Sequence, residues 1–349
     1  MIEFIVYISV IVPFIFIANK KNFLPNYSGE SHQKFFNEKK IPLIGGILIL
    51  PILLTIFLEK NFLFTLIGCL IFLIGFLSDS KILSSPKKRF ILQLFVVSLF
   101  VFISNLQVTP TRIEFIDRIF ENIFLSHLFT IFCLMILING SNFIDGLNGL
   151  LIGYFLIIVI FLYKYNLIDF DLISQKNQIF LIFSFSILLL LNYFNKFYLG
   201  DGGSYLLGFI LGFILISIYN FEVTTSPYYQ VAISPYGIIL FLWYPCLENL
   251  FSLSRKILSN KSPTSADNNH LHQLIFLYLK YKFKNKKKIV LNVSSSLIIN
   301  SFNLFIILMS SLGFKHTIYQ LSLIFAAVFL YCVIYFLLNK KLKLITSKK

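Results

Sequence analysis

Residues 62–77 read FLFTLIGCLIFLIGFL, and Ser78 and Asp79 follow directly. This run has no charged residue, and as a helix rising about 1.5 Å per residue it approaches the thickness of a bilayer core. Because a segment in lipid must satisfy its own backbone hydrogen bonds, the run predicts a transmembrane helix. Similar runs recur, giving eleven predicted spans, or ten because the fifth, seventh and eighth are short or polar-ended. They are Ile2–Ile17, Ile41–Leu58, Phe62–Leu77, Phe90–Ile103, Leu128–Ile138, Leu150–Tyr163, Ile179–Leu191, Tyr205–Ile218, Val231–Phe251, Ile289–Leu312 and Ile318–Leu338.

The composition excludes a soluble globular protein. Of 349 residues, 57% are hydrophobic and 13% are charged, whereas soluble domains have about 25% charged residues to cover their surface. The four cysteines are scattered through apolar runs, so no disulfide framework is expected. The first run lacks a preceding basic region and a cleavage site, which predicts a retained span and not a signal peptide.

The distribution of basic residues predicts the orientation. With eleven spans, 24 of the 30 Lys and Arg residues lie on one side of the membrane. The positive-inside rule makes that side cytoplasmic, with the N-terminus outside and the C-terminus in the cytoplasm. The net charge of +15 is therefore interpreted as topology and not as binding of nucleic acid. The longest hydrophilic stretch, Ser252–Lys288, is too short for a core of its own. We therefore expect an all-α, polytopic helical bundle in which residues 1–349 form one integral membrane domain.

The remaining polar residues cluster at span ends on the side predicted to be cytoplasmic. Because the topology rests on Lys and Arg alone, this convergence is nearly independent support for one cytoplasmic site. The segments that we expect to form this site are 19–40, 78–89, 139–149, 192–204 and 252–288.

Two of these segments have compositions suited to phosphate chemistry. Asn139, Asn142 and Asp145 are three residues apart, which on a helix end gives one polar ridge. A capped helix end is the structural alternative, although three such residues are costly at a membrane boundary. In Gly200–Ser204, reading GDGGS, a carboxylate flanked by glycines suits Mg²⁺, while an ordinary turn is an equally good interpretation of that segment alone.

The other candidates are weaker by themselves. Asp79 has the alternative role of a helix cap or a partner of Lys81. His270 and His272 would share one side of an extended segment, and with Asp267 and nearby cations they indicate a site for an anionic ligand. The basic run from Lys280 to Lys288 is better explained by contact with anionic lipid headgroups.

Taken in chain order, these segments resemble motifs of the polyprenyl-phosphate N-acetylhexosamine-1-phosphate transferase family (glycosyltransferase family 4). Three departures are Ser78, where the family has the first Asp of a pair, Gln273 in the histidine motif, and no aligned Arg or His before P-x-x-G-G. They favour the branch that initiates surface polysaccharides over phospho-MurNAc-pentapeptide translocase. The similar segments are Pro42–Gly46 (P-x-x-G-G), Gly75–Asp79 (G-x-x-D-D), Asn139–Leu150 (N-x-x-N-x-x-D-G-x-x-G-L), Phe197–Ser204 (F-x-G-D-x-G-S) and Asp267–His272 (D-x-x-H-x-H).

The resemblance implies transfer of N-acetylhexosamine 1-phosphate from a UDP-sugar to undecaprenyl phosphate, with release of UMP, in the bacterial inner membrane. It implies Mg²⁺, with Mn²⁺ as an alternative, bound by Asp201 and Asp145, and an active site that faces the cytoplasm. Its partners would be the two substrates and the lipid bilayer, and a homodimer stays open. The implied catalytic residues are Asp79, Asp145 and Asp201, and the implied substrate-binding residues are Asn139, Asn142, Asn192, Lys81, Lys88, Asp267, His270 and His272.

Two other functions remain open from the sequence. A transporter should carry ionisable or helix-breaking residues within its spans, and Pro245 with Glu248 is the one such pair inside a long span. A catalytically degenerate homologue would explain Ser78. The sugar is also open, because GlcNAc, QuiNAc, FucNAc and GalNAc all suit the motifs.

Overall fold

The computed structural model describes residues 2–25, 41–108, 110–168, 171–225, 233–260, 262 and 269–346. These residues form thirteen helices and, within those ranges, no strand beyond isolated bridges. The helices are α1 (Ile2–Lys20), α2 (Gly45–Phe57), α3 (Phe62–Asp79), α4 (Pro86–Ser104), α5 (Glu114–Phe120), α6 (Ile123–Ile144), α7 (Leu150–Lys164), α8 (Gln175–Tyr193), α9 (Gly200–Thr225), α10 (Pro235–Leu258), α11 (Leu271–Lys282), α12 (Lys288–Ser311) and α13 (Thr317–Thr346).

Each of the eleven predicted apolar runs corresponds to one helix, and α5 and α11 are additional short helices between them. Eight of the described helices are long and apolar enough to cross a membrane, while α2 and α7 are apolar but shorter. The fifth, seventh and eighth runs, expected to be short or polar-ended, are polar-ended. They correspond to α6, α8 and α9, with 22, 19 and 26 residues, because the polar ends of these runs continue the helix.

Helix α9 lies at the centre of the bundle. In its apolar window 72% of the residues are buried, against 22% in α1 and 17% in α13. The middle of α9 packs through stacked aromatic rings, and the ring centroids of Phe213 and Phe64 lie 3.9 Å apart. Near its beginning, a Cβ added to Gly75 of α3 would lie 2.5 Å from the backbone of Gly202. The backbones of α3 and α9 therefore touch at this point, and the start of α9 is held between α2, α3 and α6.

Contacts between connecting segments divide into two groups at opposite ends of the bundle. At the end predicted to be cytoplasmic, the Asn19 side chain donates to the Lys196 carbonyl and the Tyr198 amide donates to Pro42. At the other end, Lys60 reaches the Asp171 carbonyl, Lys176 pairs with Glu3, and Arg112 donates to the Lys315 carbonyl. Segments that the charge count placed on the same side therefore contact each other.

Candidate active site

The site is built on the first turn of α9, where Asp201 follows Gly200. Gly200 has a φ of +70°, and a Cβ there would lie 2.6 Å from Oδ2 of Asp79, so this position requires glycine. The Asp79 carboxylate accepts hydrogen bonds from the Asp201 amide at 2.9 Å and from the Gly202 amide at 3.0 Å. These amides have no partner within the helix, and an anion is favoured at a helix N-terminus. Asp79 thus fixes the backbone that carries Asp201.

The Asp201 carboxylate is held by three side chains, one each from α3, α4 and α6. Asn142 of α6 donates to Oδ1 at 2.7 Å, and Ser78 donates to Oδ2 at 2.6 Å. Arg89 of α4 forms an ion pair with Oδ2 and also donates to the Ser78 hydroxyl at 2.6 Å. The Arg89 and Asp201 side chains are about one-fifth exposed, so the pair is screened little by solvent.

From the sequence, Arg89 is one cation of the 78–89 segment of the site and has no role of its own. The signal that identifies it is its position after the Ser85–Pro86 helix start, which turns α4 back along α3. Ser78, which departs from the family motif, has a defined contact here because its hydroxyl bridges Arg89 and Asp201.

Asp145 ends α6 and completes a cluster of three carboxylates with Asp79 and Asp201. Burial raises the pKa of Asp145, and the nearby carboxylates of Asp201 and Asp79 raise that pKa further. Among the described residues, its carboxylate accepts no hydrogen bond, and Arg89 is the cation paired with the cluster. A carboxylate that accepts no hydrogen bond and lies beside two other carboxylates is a suitable ligand for a bound cation.

A divalent cation here would need oxygen atoms from outside the chain. Within the described ranges, no three His, Cys, Asp or Glu side chains are close enough to hold a metal ion by themselves. Mg²⁺ is usually bound by one or two carboxylates, with waters and substrate phosphates completing its octahedron. Asp145 and Asp201 therefore fit Mg²⁺ as a site completed by a phosphate substrate.

The amides of the polar ridge have distinct positions. Asn142 contacts Asp201 and also donates to the Ser204 hydroxyl at 2.9 Å. Asn139, one turn earlier, donates to Gln93 and to the Met135 carbonyl, so it faces α4. Asn192 is buried, and its side chain accepts from the Gly149 amide at 2.5 Å and donates to the Phe197 carbonyl at 2.9 Å. Asn192 therefore joins two loops of the site.

The histidine pair belongs to the start of α11. His270 is the extended residue that precedes the helix, and His272 lies in the first helical turn. The two rings are nevertheless parallel, with centroids 5.5 Å apart, and both side chains are buried. A Cβ on Gly146 would lie 2.2 Å from Nε2 of His272, so the pair packs against the turn that follows Asp145.

Three further predicted site residues lie at the periphery or outside the described ranges. Lys81 and Lys88 are exposed in the α3–α4 connection and the first turn of α4, and Lys81 has a positive φ of 64°. Asp267 lies outside the described residues. The structure therefore brings together Asp79, Asn142, Asp145, Asp201 and the histidine pair at one end of the bundle.

The fold and the site define a class: a polytopic membrane enzyme with a cluster of carboxylates, an arginine and two histidines at one end of its helices. Residues 61–219 match the sequence profile described as glycosyl transferase family 4. Over this region the chain is similar to that family, which supports the resemblance to the polyprenyl-phosphate N-acetylhexosamine-1-phosphate transferases. The matched region runs from α3 to α9 and includes Asp79, Asp145 and Asp201 but not the histidine pair.

Individual relatives extend the similarity beyond that region. An undecaprenyl-phosphate alpha-N-acetylglucosaminyl 1-phosphate transferase of Thermotoga maritima is 27% identical over 85% of both chains. A probable undecaprenyl-phosphate N-acetylglucosaminyl 1-phosphate transferase of Bacillus subtilis is 25% identical over 69% of this chain and 67% of its own. A phospho-N-acetylmuramoyl-pentapeptide-transferase of Prochlorococcus marinus is 30% identical over 59% of this chain and 63% of its own.

Proposed function

We propose that this protein transfers N-acetylhexosamine 1-phosphate from a UDP-sugar to undecaprenyl phosphate, giving undecaprenyl-diphospho-sugar and UMP and initiating a surface polysaccharide. The observation that carries the proposal is the meeting of Asp79, Asp145 and Asp201 with Arg89 and Asn142 at one end of an apolar bundle. Two relatives that cover two thirds or more of both chains are named for this type of transfer from N-acetylglucosamine donors.

The proposed topology has eleven spans in the bacterial inner membrane, with the N-terminus outside and the C-terminus and active site in the cytoplasm. The two groups of loop contacts support this arrangement, because each group joins segments that the charge count places on one side. The proposed single membrane domain, with the site formed by segments 19–40, 78–89, 139–149, 192–204 and 252–288, would let a water-soluble nucleotide-sugar and a lipid phosphate meet at the membrane surface.

The chemistry requires one phosphate to attack another. An oxygen of the lipid phosphate forms a bond to the β-phosphorus of the UDP-sugar, and the bond from that phosphorus to the bridging oxygen breaks, so that UMP leaves with the oxygen. A phosphomonoester has a second pKa of about 6, so the nucleophile is largely ionised at neutral pH. A strong general base is therefore not required, and the main task of the site is to bring anions together.

Each residue then has a task that follows from its position. Asp145 and Asp201 would hold Mg²⁺, or Mn²⁺ as an alternative, which supplies charge neutralisation and polarisation of the transferred phosphoryl group. Asp79 holds the backbone of Asp201, and Asn142 orients the carboxylate of Asp201. Arg89 would stabilise charge on the phosphate oxygens through its planar array of donors.

The remaining groups would bind the substrates. His270 and His272 would contact the diphosphate or the sugar, with Asp267 in the same segment. Lys81 and Lys88 are exposed cations next to Asp79 and would attract the lipid phosphate from the membrane surface. Asn139 would approach the nucleotide from α6, whereas Asn192 would act by supporting the loops around it.

The test is UMP release by detergent-purified protein supplied with undecaprenyl phosphate, Mg²⁺ and a panel of UDP-N-acetylhexosamines. We expect release that depends on both lipid and metal, that identifies the preferred donor, and that is lost in Asp201→Asn. Glu121→Gln is the matched control, because it removes an exposed carboxylate at the opposite end of the bundle. If Ser78→Asp releases UMP and the wild type does not, the protein is a degenerate homologue. If neither releases UMP, the proposed reaction is wrong.

A further inference from the structure

Glu248 is an acidic residue that the proposed reaction does not use. It lies towards the end of α10 with 1% of its surface exposed, in a chain with only 15 acidic residues. A buried carboxylate without partners is strongly destabilising, so its contacts indicate how its burial is tolerated. Among the hydrogen bonds described, both of its oxygens accept from the segment that begins α11.

The two contacts of Glu248 fix both the backbone and a side chain of the histidine segment. Oε1 accepts from the Leu271 amide at 3.1 Å, which satisfies the first free N–H group of α11. Oε2 lies 3.0 Å from Nδ1 of His270. A carboxylate at Nδ1 keeps a proton on that nitrogen and fixes the orientation of the ring, which leaves Nε2 for another partner.

The same contacts extend to the turn that carries Asp145. His270 stacks on His272, and His272 packs against Gly146, the residue after Asp145. Gln273, which stands where the family has a third histidine, accepts from the His270 amide at 3.2 Å and closes the first turn of α11. Glu248 therefore lies at the base of a continuous set of contacts that ends beside the carboxylate cluster.

We infer that Glu248 is a positioning residue that holds His270 and the start of α11 in the geometry needed to bind the diphosphate of the nucleotide-sugar. This inference rests on the proposed function. Glu248 does not reach the reactants itself and acts through His270. Its replacement should therefore weaken use of the nucleotide-sugar selectively and leave use of the lipid phosphate unchanged.

The experiment measures KM separately for the UDP-sugar and for undecaprenyl phosphate in Glu248→Gln, Glu248→Asp, His270→Ala and the double variant Glu248→Gln/His270→Ala. We expect Glu248→Gln to raise KM for the UDP-sugar about tenfold to a hundredfold, as is typical when the partner of a ligand-binding histidine is lost. Glu248→Asp keeps the charge and should restore part of the loss. Because Glu248 acts through His270, the double variant should be no worse than His270→Ala.

Gln178→Ala provides the matched control for a loss of buried polar contacts. Gln178 is buried at the other end of the bundle and donates to the Ile173 carbonyl at 2.8 Å, so its loss should lower thermal stability without changing either KM. Additive effects of Glu248→Gln and His270→Ala, or equal changes in both KM values, would overturn the inference.

Hydrogen exchange separates this inference from the proposed function. If the wild type releases no UMP, the proposed function fails, and faster exchange of the Leu271 amide in Glu248→Ala, which removes both acceptor oxygens, then shows whether the contact to α11 exists. Unchanged exchange at Leu271, with or without turnover in the wild type, would refute the positioning role.

Discussion

Replacing Asp79 with asparagine tests whether this carboxylate acts on the reactants or through the N-terminus of α9. In the structure its two oxygens accept the amides of Asp201 and Gly202 at 2.9 and 3.0 Å. Asparagine keeps one acceptor and presents an NH₂ group to the second amide. The orphaned amide costs about 1–3 kcal/mol. Loss of the negative charge adds little, because repulsion from the Asp201 carboxylate offsets the attraction of the helix N-terminus.

The expected outcome for Asp79→Asn is a loss of stability together with a moderate loss of turnover. The free energy of unfolding should fall by about 1–3 kcal/mol, the cost of the orphaned amide. Turnover, measured as UMP release well below the unfolding temperature, should fall about tenfold to a hundredfold, because Asp201 remains present but is less well held.

The matched control for this experiment is Asn61→Ala. The Asn61 side chain accepts from the Phe64 amide at 2.9 Å and caps the other end of α3, far from the site. Its removal costs about 0.5–2 kcal/mol of stability and should leave turnover unchanged. If Asp79→Asn kept the thermal stability of the wild type and lost more than a thousandfold in turnover, Asp79 would contact the reactants, and the positional role would be wrong.

Three other substitutions address the remaining parts of the site. Arg89→Gln removes the ion pair with Asp201 and should lower both unfolding temperature and turnover, with Arg89→Lys recovering part of each; unchanged turnover in Arg89→Gln would exclude a role in phosphate binding. Gly146→Ala places a Cβ 2.2 Å from Nε2 of His272, so KM for the UDP-sugar should rise with little change in unfolding temperature; an unchanged KM would show that His272 does not bind the donor. Asp145→Asn removes a carboxylate from a cluster of like charge, so the metal-free variant should unfold at a higher temperature than the metal-free wild type. Mg²⁺ should stabilise the variant less than it stabilises the wild type. Equal stabilisation of the two proteins by Mg²⁺ would show that Asp145 does not bind the metal.

The helical bundle was predictable because its signal is local. Each apolar run indicates that its own segment is surrounded by lipid, and a segment in lipid must be helical to satisfy its backbone hydrogen bonds. Helix ends were less predictable. The run at Tyr205–Ile218 begins in the structure at Gly200, because Asp79 of another helix caps the amides that polar composition alone would assign to a loop.

The site was predictable as a set of residues and not as a set of contacts. Asp79, Asp145 and Asp201 are identified by resemblance to family motifs, but their electrostatic interaction depends on the crossing of α3, α6 and α9. Arg89 and Glu248 lie outside the family motifs, and the role of each follows only from the residues that it contacts.

The sequence by itself therefore determined the membrane class, the helical segments, the proposed orientation and the chemical types available at one end of the bundle, because composition and local order encode these properties. Only the tertiary structure decided that Asn192 supports two loops and that Asp79 caps α9. It also decided that Glu248 holds His270. These contacts join residues distant in the chain, and their partners are selected by the packing of helices whose backbones approach closely at glycines such as Gly75 and Gly146.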